Sequence, residues 1–409
     1  MLEVTSKQIP PSKSLYNRAL VMQSFEPDLK IVTNSSYESE DVQLFKKALS
    51  DFGRGETEFY CGAGAAPFKF LAIRLSRQMG SFVIRGTERL LSRPLDELLS
   101  LLSQLGCRDV LLSSDSLSFS SSGEWPTAIE VNVEKSSQEL SALILSSWEL
   151  DEELQVTLVG DVASSTYLEM TVALMSAAGW SGNLIVNDRL EKVLLPKKQY
   201  VVLDEIFVEP DMSCIASLAL AGAIKGGAHF FSMLPSSLQG DQLVFPLMAK
   251  MGVKLKQKLQ KARENEDSFE EQLQLVEVIV EEASIYSGIE VDLRATPDLF
   301  PVLAAFSAKA STPSIFTGLK NLNIKESRRL DRMKELLEGV GVKCELQEDR
   351  FKVLPVTDYK LSTFDFDSDK DHRLAMAAAL LKLQGALINL KNPEVVNKSF
   401  PNFWDFVAS

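Results

Sequence analysis

Pro10-Pro11-Ser12-Lys13-Ser14-Leu15-Tyr16-Asn17-Arg18 brings two prolines, hydroxyls and two cations into one short stretch. The prolines stop whatever precedes them, and Ser12 or Ser14 then stands where a helix N-cap stands. Leu15, Ala19 and Leu20 give the helix that follows an apolar side. Lys13 falls in or beside the first turn, where the helix dipole disfavours a cation, and Arg18 lies one turn further on, near the face of Ser14. Free N–H groups, a hydroxyl and two cations make a seat for phosphate or carboxylate. A capped surface helix with ordinary basic residues reads the same way.

Further polar clusters stand at expected turns and element ends, where functional groups are usually presented. Ser136-Ser137-Gln138 follows a strand-like run and offers hydroxyls and an amide to a phosphate or a sugar-like hydroxyl. Ser164-Ser165-Thr166-Tyr167 opens another helix in the same manner, and Thr296-Pro297-Asp298 precedes an apolar helix over 299–306. Asn321-Leu322-Asn323-Ile324-Lys325-Glu326-Ser327-Arg328-Arg329 packs cations and a carboxylate into one turn after the strand-like Ser314-Ile315-Phe316-Thr317. Asp371-His372-Arg373 opens a helix at Leu374-Ala375-Met376-Ala377, and Lys398-Ser399-Phe400-Pro401 stands near the end. Taken singly, each is also what a helix cap or a surface ion pair looks like.

The elements that must carry these clusters repeat. An apolar helical stretch, a glycine and a short strand-like run recur around Gly53, Gly106, Gly179, Gly252, Gly339 to Gly341, and Gly385. Glycine there supplies the left-handed residue that ends a helix before the chain turns back. The uneven spacing is no regular solenoid; it predicts several copies of one α/β unit spread over two domains. Ile129-Glu130-Val131-Asn132-Val133 and Leu154-Gln155-Val156-Thr157-Leu158-Val159 alternate as half-buried strands do. Val201-Val202-Leu203 and Ile206-Phe207-Val208 flank Asp204-Glu205 as a short hairpin, 113–122 reads as an edge strand or hairpin, and the charged stretch 254–282 as a solvated helix or exposed insertion.

Composition bounds the partners. A chain of 409 residues with 45% hydrophobic content supports full cores, two domains being the natural expectation. The net charge of −13 argues against nucleic acid or an anionic membrane as the main partner, so an anion site must be a local cationic pocket. Cys61, Cys107, Cys214 and Cys344 form no C-x-x-C pair, and His229 and His372 are the sole histidines, so no metal site and no disulfide framework are expected. The N-terminus lacks a basic region with an apolar core, and no apolar run reaches membrane-spanning length; a cytoplasmic protein is expected.

In their order, these clusters resemble the enolpyruvyl transferase family, and within it the branch whose acceptor is shikimate 3-phosphate. The matches run over nearly the whole chain: Pro11-Ser12-Lys13-Ser14 with Arg18, Ser39-Glu40-Asp41-Val42, Arg93-Pro94, Ser136-Ser137-Gln138 and Glu209-Pro210-Asp211-Met212-Ser213. They continue with Gln239-Gly240-Asp241, Pro297-Asp298, Asn321 with Lys325-Glu326-Ser327 and Arg329, Asp371-His372-Arg373, and Lys398-Ser399-Phe400-Pro401. The resemblance implies an α/β fold of two similar domains, each of three βαβαββ units in an inside-out α/β barrel, around an interdomain cleft. The domains would be 12–209, on the shikimate 3-phosphate side, and 1–11 plus 210–409, with the catalytic carboxylates and part of the phosphoenolpyruvate site.

The activity implied is transfer of the enolpyruvyl group of phosphoenolpyruvate to the 5-hydroxyl of shikimate 3-phosphate, through a tetrahedral intermediate and with domain closure. Phosphate is released on the route to chorismate and aromatic amino acids, without metal or organic cofactor, and a monomer is expected. By the same resemblance Lys13 touches both substrates and is catalytic, while Ser14, Arg18, Ser136, Ser137, Gln138, Ser164, Tyr167, Asn321 and Lys325 hold shikimate 3-phosphate. Arg93, Gln138, Arg329, Arg373 and Lys398 surround phosphoenolpyruvate. Asp298 accepts the hydroxyl proton and touches the shikimate substrate; Glu326 donates to the methylene carbon. Two carboxylates with opposed tasks suit an addition followed by an elimination, and two anionic substrates need a dense set of Lys and Arg.

The sequence departs from the family at 62–69, where Gly-Asn-Ala-Gly-Thr followed by arginine is usual and Gly62-Ala63-Gly64-Ala65-Ala66-Pro67-Phe68-Lys69 stands instead. Two polar side chains are gone, Ala65 adds a methyl, and Lys69 keeps the charge without the bidentate fork. Weak phosphoenolpyruvate affinity and poor glyphosate binding are expected. Arg328 replaces the usual aspartate, with no account from sequence. A transferase acting on UDP-N-acetylglucosamine, for which a loop cysteine is expected at 87–94, and a noncatalytic phosphometabolite-binding protein are the alternatives.

Overall fold

The computed structural model describes residues 1–187, 189–259 and 275–407. Contacts divide the chain into an upstream unit, Lys13–Val32 with Glu40–Val208, and a downstream unit, Met1–Ser12 with Thr33–Ser39 and Glu209–Ser409.

One arrangement recurs four times: a parallel strand pair, then an antiparallel hairpin closing on its second strand. In the upstream unit Glu58–Tyr60 runs parallel to Met79–Arg85, which pairs antiparallel with Ser116–Ser122, leaving Arg108–Leu112 at the edge. Ala128–Asn132, Leu154–Val159, Leu190–Leu195 and Asn183–Val186 repeat that order. In the downstream unit Leu2–Thr5, Ala228–Met233, Val276–Val280 and Leu255–Leu259 form one copy. Glu290–Asp292, Ser314–Thr317, Arg350–Leu354 and Lys343–Gln347 form the other. Each unit adds a two-stranded parallel sheet: Lys30–Val32 with Glu205–Phe207 upstream, and Phe364–Asp367 with Ile388–Lys391 downstream.

Parallel neighbours require a crossover, and helices supply it. The upstream helices include α1 (Lys13–Gln23), α2 (Glu40–Gly53), α3 (Ala65–Leu75), α4 (Gln138–Leu145) and α5 (Ser165–Ala177). Downstream lie α6 (Met212–Ile224), α7 (Phe300–Phe306), α8 (Arg329–Gly339) and α9 (His372–Leu383). Residues 212–223 of α6 are buried apart from Ser213, as a helix apolar on every side must be. Gly222 admits the next strand: a Cβ there would stand 2.8 Å from the Ala228 nitrogen.

Each unit has its own core. Trp148, Phe45, Phe68, Phe70 and Phe119 are fully buried in the upstream one, and Phe230, Phe300, Phe306, Phe316, Phe351 and Phe366 in the downstream one.

Several expectations change. Val201-Val202-Leu203 is not a strand; Glu205–Phe207 pairs with Lys30–Val32 instead of folding back, so the expected hairpin is absent. Of the two readings of 113–122 the hairpin holds, since Ser116–Ser122 pairs antiparallel with Arg108–Leu112; the edge-strand reading does not, because Met79–Arg85 flanks its other side. The flanks of 254–282 are strands, because Leu255, Val276, Val278 and Val280 alternate into the sheet, while 260–274 lie outside the described residues. Gly106 and Gly385 take the left-handed conformation after their helices; after α2 it falls to Gly55, because Gly53 still belongs to the helix. Among the described residues no helix is long and apolar enough to cross a membrane.

Candidate active site

In the upstream unit α1 begins at Lys13, immediately after Ser12, whose N–H bonds the Glu209 carbonyl at 2.8 Å. Lys13 Nζ stands 2.9 Å from Asp41 Oδ2, at the start of α2. Arg18 is buried and spends its donors within the unit: Nη1 to the Ser14 carbonyl (2.7 Å), Nη2 to the Tyr167 carbonyl (2.9 Å), Nε to Thr171 Oγ1 (2.8 Å). Burial lowers its pKa to about 10, with the nearby Tyr167 opposing, which leaves a cation at neutral pH. Arg18 therefore clamps α1 to α5 and fixes the position of Ser14 and Tyr167.

Ser137 precedes α4 without capping it through its side chain, Ser136 Oγ accepts from the Gln138 N–H at 3.0 Å, and the Ser137 hydroxyl points to the Ser164 carbonyl at 3.4 Å. Ser164 itself is left-handed (φ 54°, ψ 51°), a strained state for a non-glycine residue, at the residue that opens α5. Ser14, Arg18, Ser137, Ser164 and Tyr167 are thus joined by hydrogen bonds or chain adjacency. Arg93, half-buried after the short helix Glu88–Leu91, makes no ion pair among the described residues.

The loop at 62–69 turns at Gly62 (φ +60°) and enters α3 through Gly64. Ala65 is the first helical residue, half-buried and without positive φ, so its methyl brings no backbone strain. Lys69 is not an open cation: its Nζ lies 2.5 Å from Glu139 Oε1, both side chains buried. The lysine keeps a cation at this position, but Glu139 balances it.

In the downstream unit a single guanidinium gathers three carboxylates. Arg329, fully buried, gives Nη1 to Asp298 Oδ1 (2.8 Å), Nη2 to Glu326 Oε2 (2.6 Å), and Nε to Asp371 Oδ2 (2.9 Å). Asp371, also fully buried, accepts from Ser327 Oγ at 2.9 Å and caps α9 by accepting the Arg373 N–H at 3.0 Å. Arg373 Nη2 in turn lies 3.2 Å from Asp298 Oδ2, and its Nη1 4.0 Å from Asp241 Oδ2. Asp298, Glu326 and Asp371 converge on that guanidinium, and Arg373 joins the cluster through Asp298; Lys325 is near enough for its charge to act on Asp298 and Asp241. Asn321 precedes the single turn Leu322–Ile324. Lys398 ends Pro393–Lys398, half-buried and without an ion pair among the described residues.

Two carboxyls here are driven apart. Burial would raise Asp298, but Arg373, Lys325 and Arg329 together outweigh it and hold it well below the usual carboxylate range. Burial likewise raises Asp241, here to about 7, with the negative charges of Asp298 and Asp211 adding to it and Arg373 and Lys325 too weak to reverse it. A hydrogen bond from Arg329 and an ion pair with Arg373 at 3.2 Å separate the first case from the second. Arg328 is an exposed partner of Asp331, at 2.6 Å on the first turn of α8, which accounts for it as a surface pair.

Sequence reasoning singled out Asp41 and Asp241 within matched stretches but gave them no role, and it missed Glu139 and the central place of Asp371. Acidic residues in a first helical turn read as dipole caps, so Asp41 and Glu139 gave no sign of their lysines. Thiol chemistry finds no support: 87–94 holds no cysteine, Cys61 is buried with its pKa raised, and burial pushes Cys107 up to about 11.

Comparison with known proteins agrees with the fold. A solved EPSP synthase from Acinetobacter baumannii superposes with a TM-score of 0.74 at 20% identity, covering 100% of this chain and 95% of that one. The enolpyruvyl transferase NikO from Streptomyces tendae gives 0.69 at 13% identity, covering 100% and 94%. In sequence, a 3-phosphoshikimate 1-carboxyvinyltransferase of Haemophilus ducreyi is 28% identical over 97% of this chain and 93% of its own length. One from Shewanella baltica is 26% identical over 98% and 95%. The sequence model of the family described as EPSP synthase (3-phosphoshikimate 1-carboxyvinyltransferase) matches residues 28–407, nearly end to end, and the chain belongs to that family.

Proposed function

We propose that the chain transfers the enolpyruvyl group of phosphoenolpyruvate to the 5-hydroxyl of shikimate 3-phosphate, releasing phosphate. The observation that carries the reading is the pair Asp298 and Glu326 on the two terminal nitrogens of buried Arg329, at 2.8 and 2.6 Å. Addition forms a bond from the acceptor oxygen to the phosphate-bearing carbon; the hydroxyl proton goes to Asp298, and Glu326 protonates the methylene to a methyl. Elimination breaks the carbon–oxygen bond to phosphate as one methyl proton returns to Glu326, restoring the double bond, and the departing phosphate takes up the proton held on Asp298.

Asp298 gripped by Arg329 and Arg373 is a feeble base. Phosphate or carboxylate oxygens drawing on those guanidiniums loosen the grip and raise its basicity, which ties proton acceptance to the arrival of substrate. Lys13, Ser14, Arg18, Ser136, Ser137, Gln138, Ser164 and Tyr167 are the shikimate 3-phosphate contacts in this reading, joined by Asn321 and Lys325. Arg93, Gln138, Arg329, Arg373 and Lys398 serve phosphoenolpyruvate. Arg18 contributes chiefly by holding Ser14 and Tyr167 in place. We take the working form to be a cytoplasmic monomer.

Phosphate release from the two substrates tests the assignment. Asp298→Asn and Glu326→Gln are each expected to lower kcat by about 10²- to 10⁴-fold, the range of one general acid or base. A binding protein without activity would release none, and a carboxylate variant at wild-type rate would remove that residue from the chemistry.

A further inference from the structure

Lys69 differs from the buried arginines of the upstream unit in how its charge is met. Arg18 and Arg74 are satisfied by hydroxyl and backbone oxygens, Arg74 through Ser24 Oγ at 2.7 Å and the Ser24 carbonyl at 3.0 Å. Lys69 meets a full opposite charge at 2.5 Å, from a side chain only 2% exposed. Glu139 Oε2 has no hydrogen-bond partner among the described residues, so Lys69 is the contact that makes this buried carboxylate tolerable. The pair joins two functional neighbourhoods: Lys69 is one helical turn, roughly 6 Å, past Ala65 at the start of α3, and Glu139 follows Gln138 at the start of α4. The other lysine of this region is balanced as well. Lys13 meets Asp41, whose carboxyl carbon would stand 3.4 Å from a Cβ on Gly64.

We propose that Glu139 is a specificity-determining residue that cancels the charge of Lys69 and leaves the 62–69 loop electrically neutral toward phosphoenolpyruvate. This rests on the reading above that the loop faces that substrate. A lone buried cation one turn from the loop would attract the anion over the whole distance. A cation with its counter-ion at 2.5 Å acts only as a dipole, whose pull falls off faster. The pair thus sets affinity through charge, while backbone N–H groups of the loop and first turn do the holding. Glu139 touches no reacting atom in this scheme; it acts through Lys69.

Steady-state kinetics with phosphoenolpyruvate varied at saturating shikimate 3-phosphate test this. Glu139→Gln, which keeps an acceptor for Lys69, is expected to lower the KM for phosphoenolpyruvate threefold or more. It should leave kcat within twofold and steepen the rise of KM with ionic strength. An unchanged or raised KM in a variant with the wild-type circular dichroism spectrum overturns the proposal and leaves the pair a purely structural tie. Should Glu139→Gln fail to fold, the double variant Lys69→Leu/Glu139→Leu decides. A KM within twofold of wild type supports cancellation, and a tenfold rise shows that the anion already felt Lys69. If the wild-type chain releases no phosphate, the functional reading fails separately. The proposal is then read from the phosphoenolpyruvate concentration giving half the maximal rise in Tm: a threefold lower value in Glu139→Gln supports it, and an unchanged value overturns it.

Discussion

Buried Asp241 and half-buried Asp298 both face Arg373 and are shifted in opposite directions. The sign of each effect on stability follows from linkage. Asp241 has a folded pKa near 7, above the unfolded carboxyl, so its contribution is present at acid pH and is lost as pH rises through about 7. Asp298 is depressed, so its contribution is present above the unfolded value of about 3.9 and is lost as pH falls below it. Wild type should therefore lose more Tm than Asp241→Asn between pH 5.5 and pH 8.5. Equal losses in the two proteins would place the slope elsewhere. For Asp298→Asn the deficit in Tm at neutral pH should narrow as the medium is taken below about pH 4. At this scale the sequence disclosed residue types and little of their pairing. Asp298 and Glu326 could be picked out as chemically apt, yet nothing in their spacing said that both would bind one guanidinium. Partners such as Lys13–Asp41 and Lys69–Glu139 come from different helices, and a contact made by tertiary packing leaves no local periodicity to read.

Two helices show how far a local pattern carries. Asp211 and Asp371 both precede long buried helices, and each accepts the N–H two residues on, at 2.9 and 3.0 Å. From sequence they are the same N-cap. In the fold Asp211 adds the Cys214 N–H and the Ser213 hydroxyl, groups that water can replace in part. Asp371 instead takes a bidentate share of Arg329, through Nε at 2.9 Å and Nη2 at 3.3 Å, where neither side chain touches solvent. Asp211→Ala is thus expected to cost about 1 kcal/mol, the value of a cap. Asp371→Ala should cost about 3–5 kcal/mol, as for breaking a buried charge pair. Urea denaturation measures both, and costs that match would mean that Asp371 is no more than a cap. Helix existence and the strand–helix repeat were legible because apolar periodicity and glycine stops are local signals. The failures were positional: Val201-Val202-Leu203 had the right residues for a strand, but Glu205–Phe207 took the parallel partner Lys30–Val32, distant in sequence.

For the molecule as a whole, the decisive feature is that the two buried clusters share no residue and follow the division of the chain into units. Separate cores of this size need not melt together, because cooperativity is carried by shared packing. Tryptophan placement makes the point measurable. Trp125, Trp148 and Trp180 belong to the upstream unit, Trp148 fully buried and Trp180 nearly so, while half-buried Trp404 is in the downstream one. Tryptophan fluorescence therefore follows the upstream unit, whereas far-ultraviolet circular dichroism follows the helices of both. Phe366 is fully buried in the downstream core, so Phe366→Ala should destabilise that unit by about 3–5 kcal/mol. In urea the circular dichroism curve should then split, its early phase moving to lower denaturant while the fluorescence midpoint stays within error of wild type. Equal displacement of both curves would show one cooperative unit, in which case a substitution in either core would weaken both units.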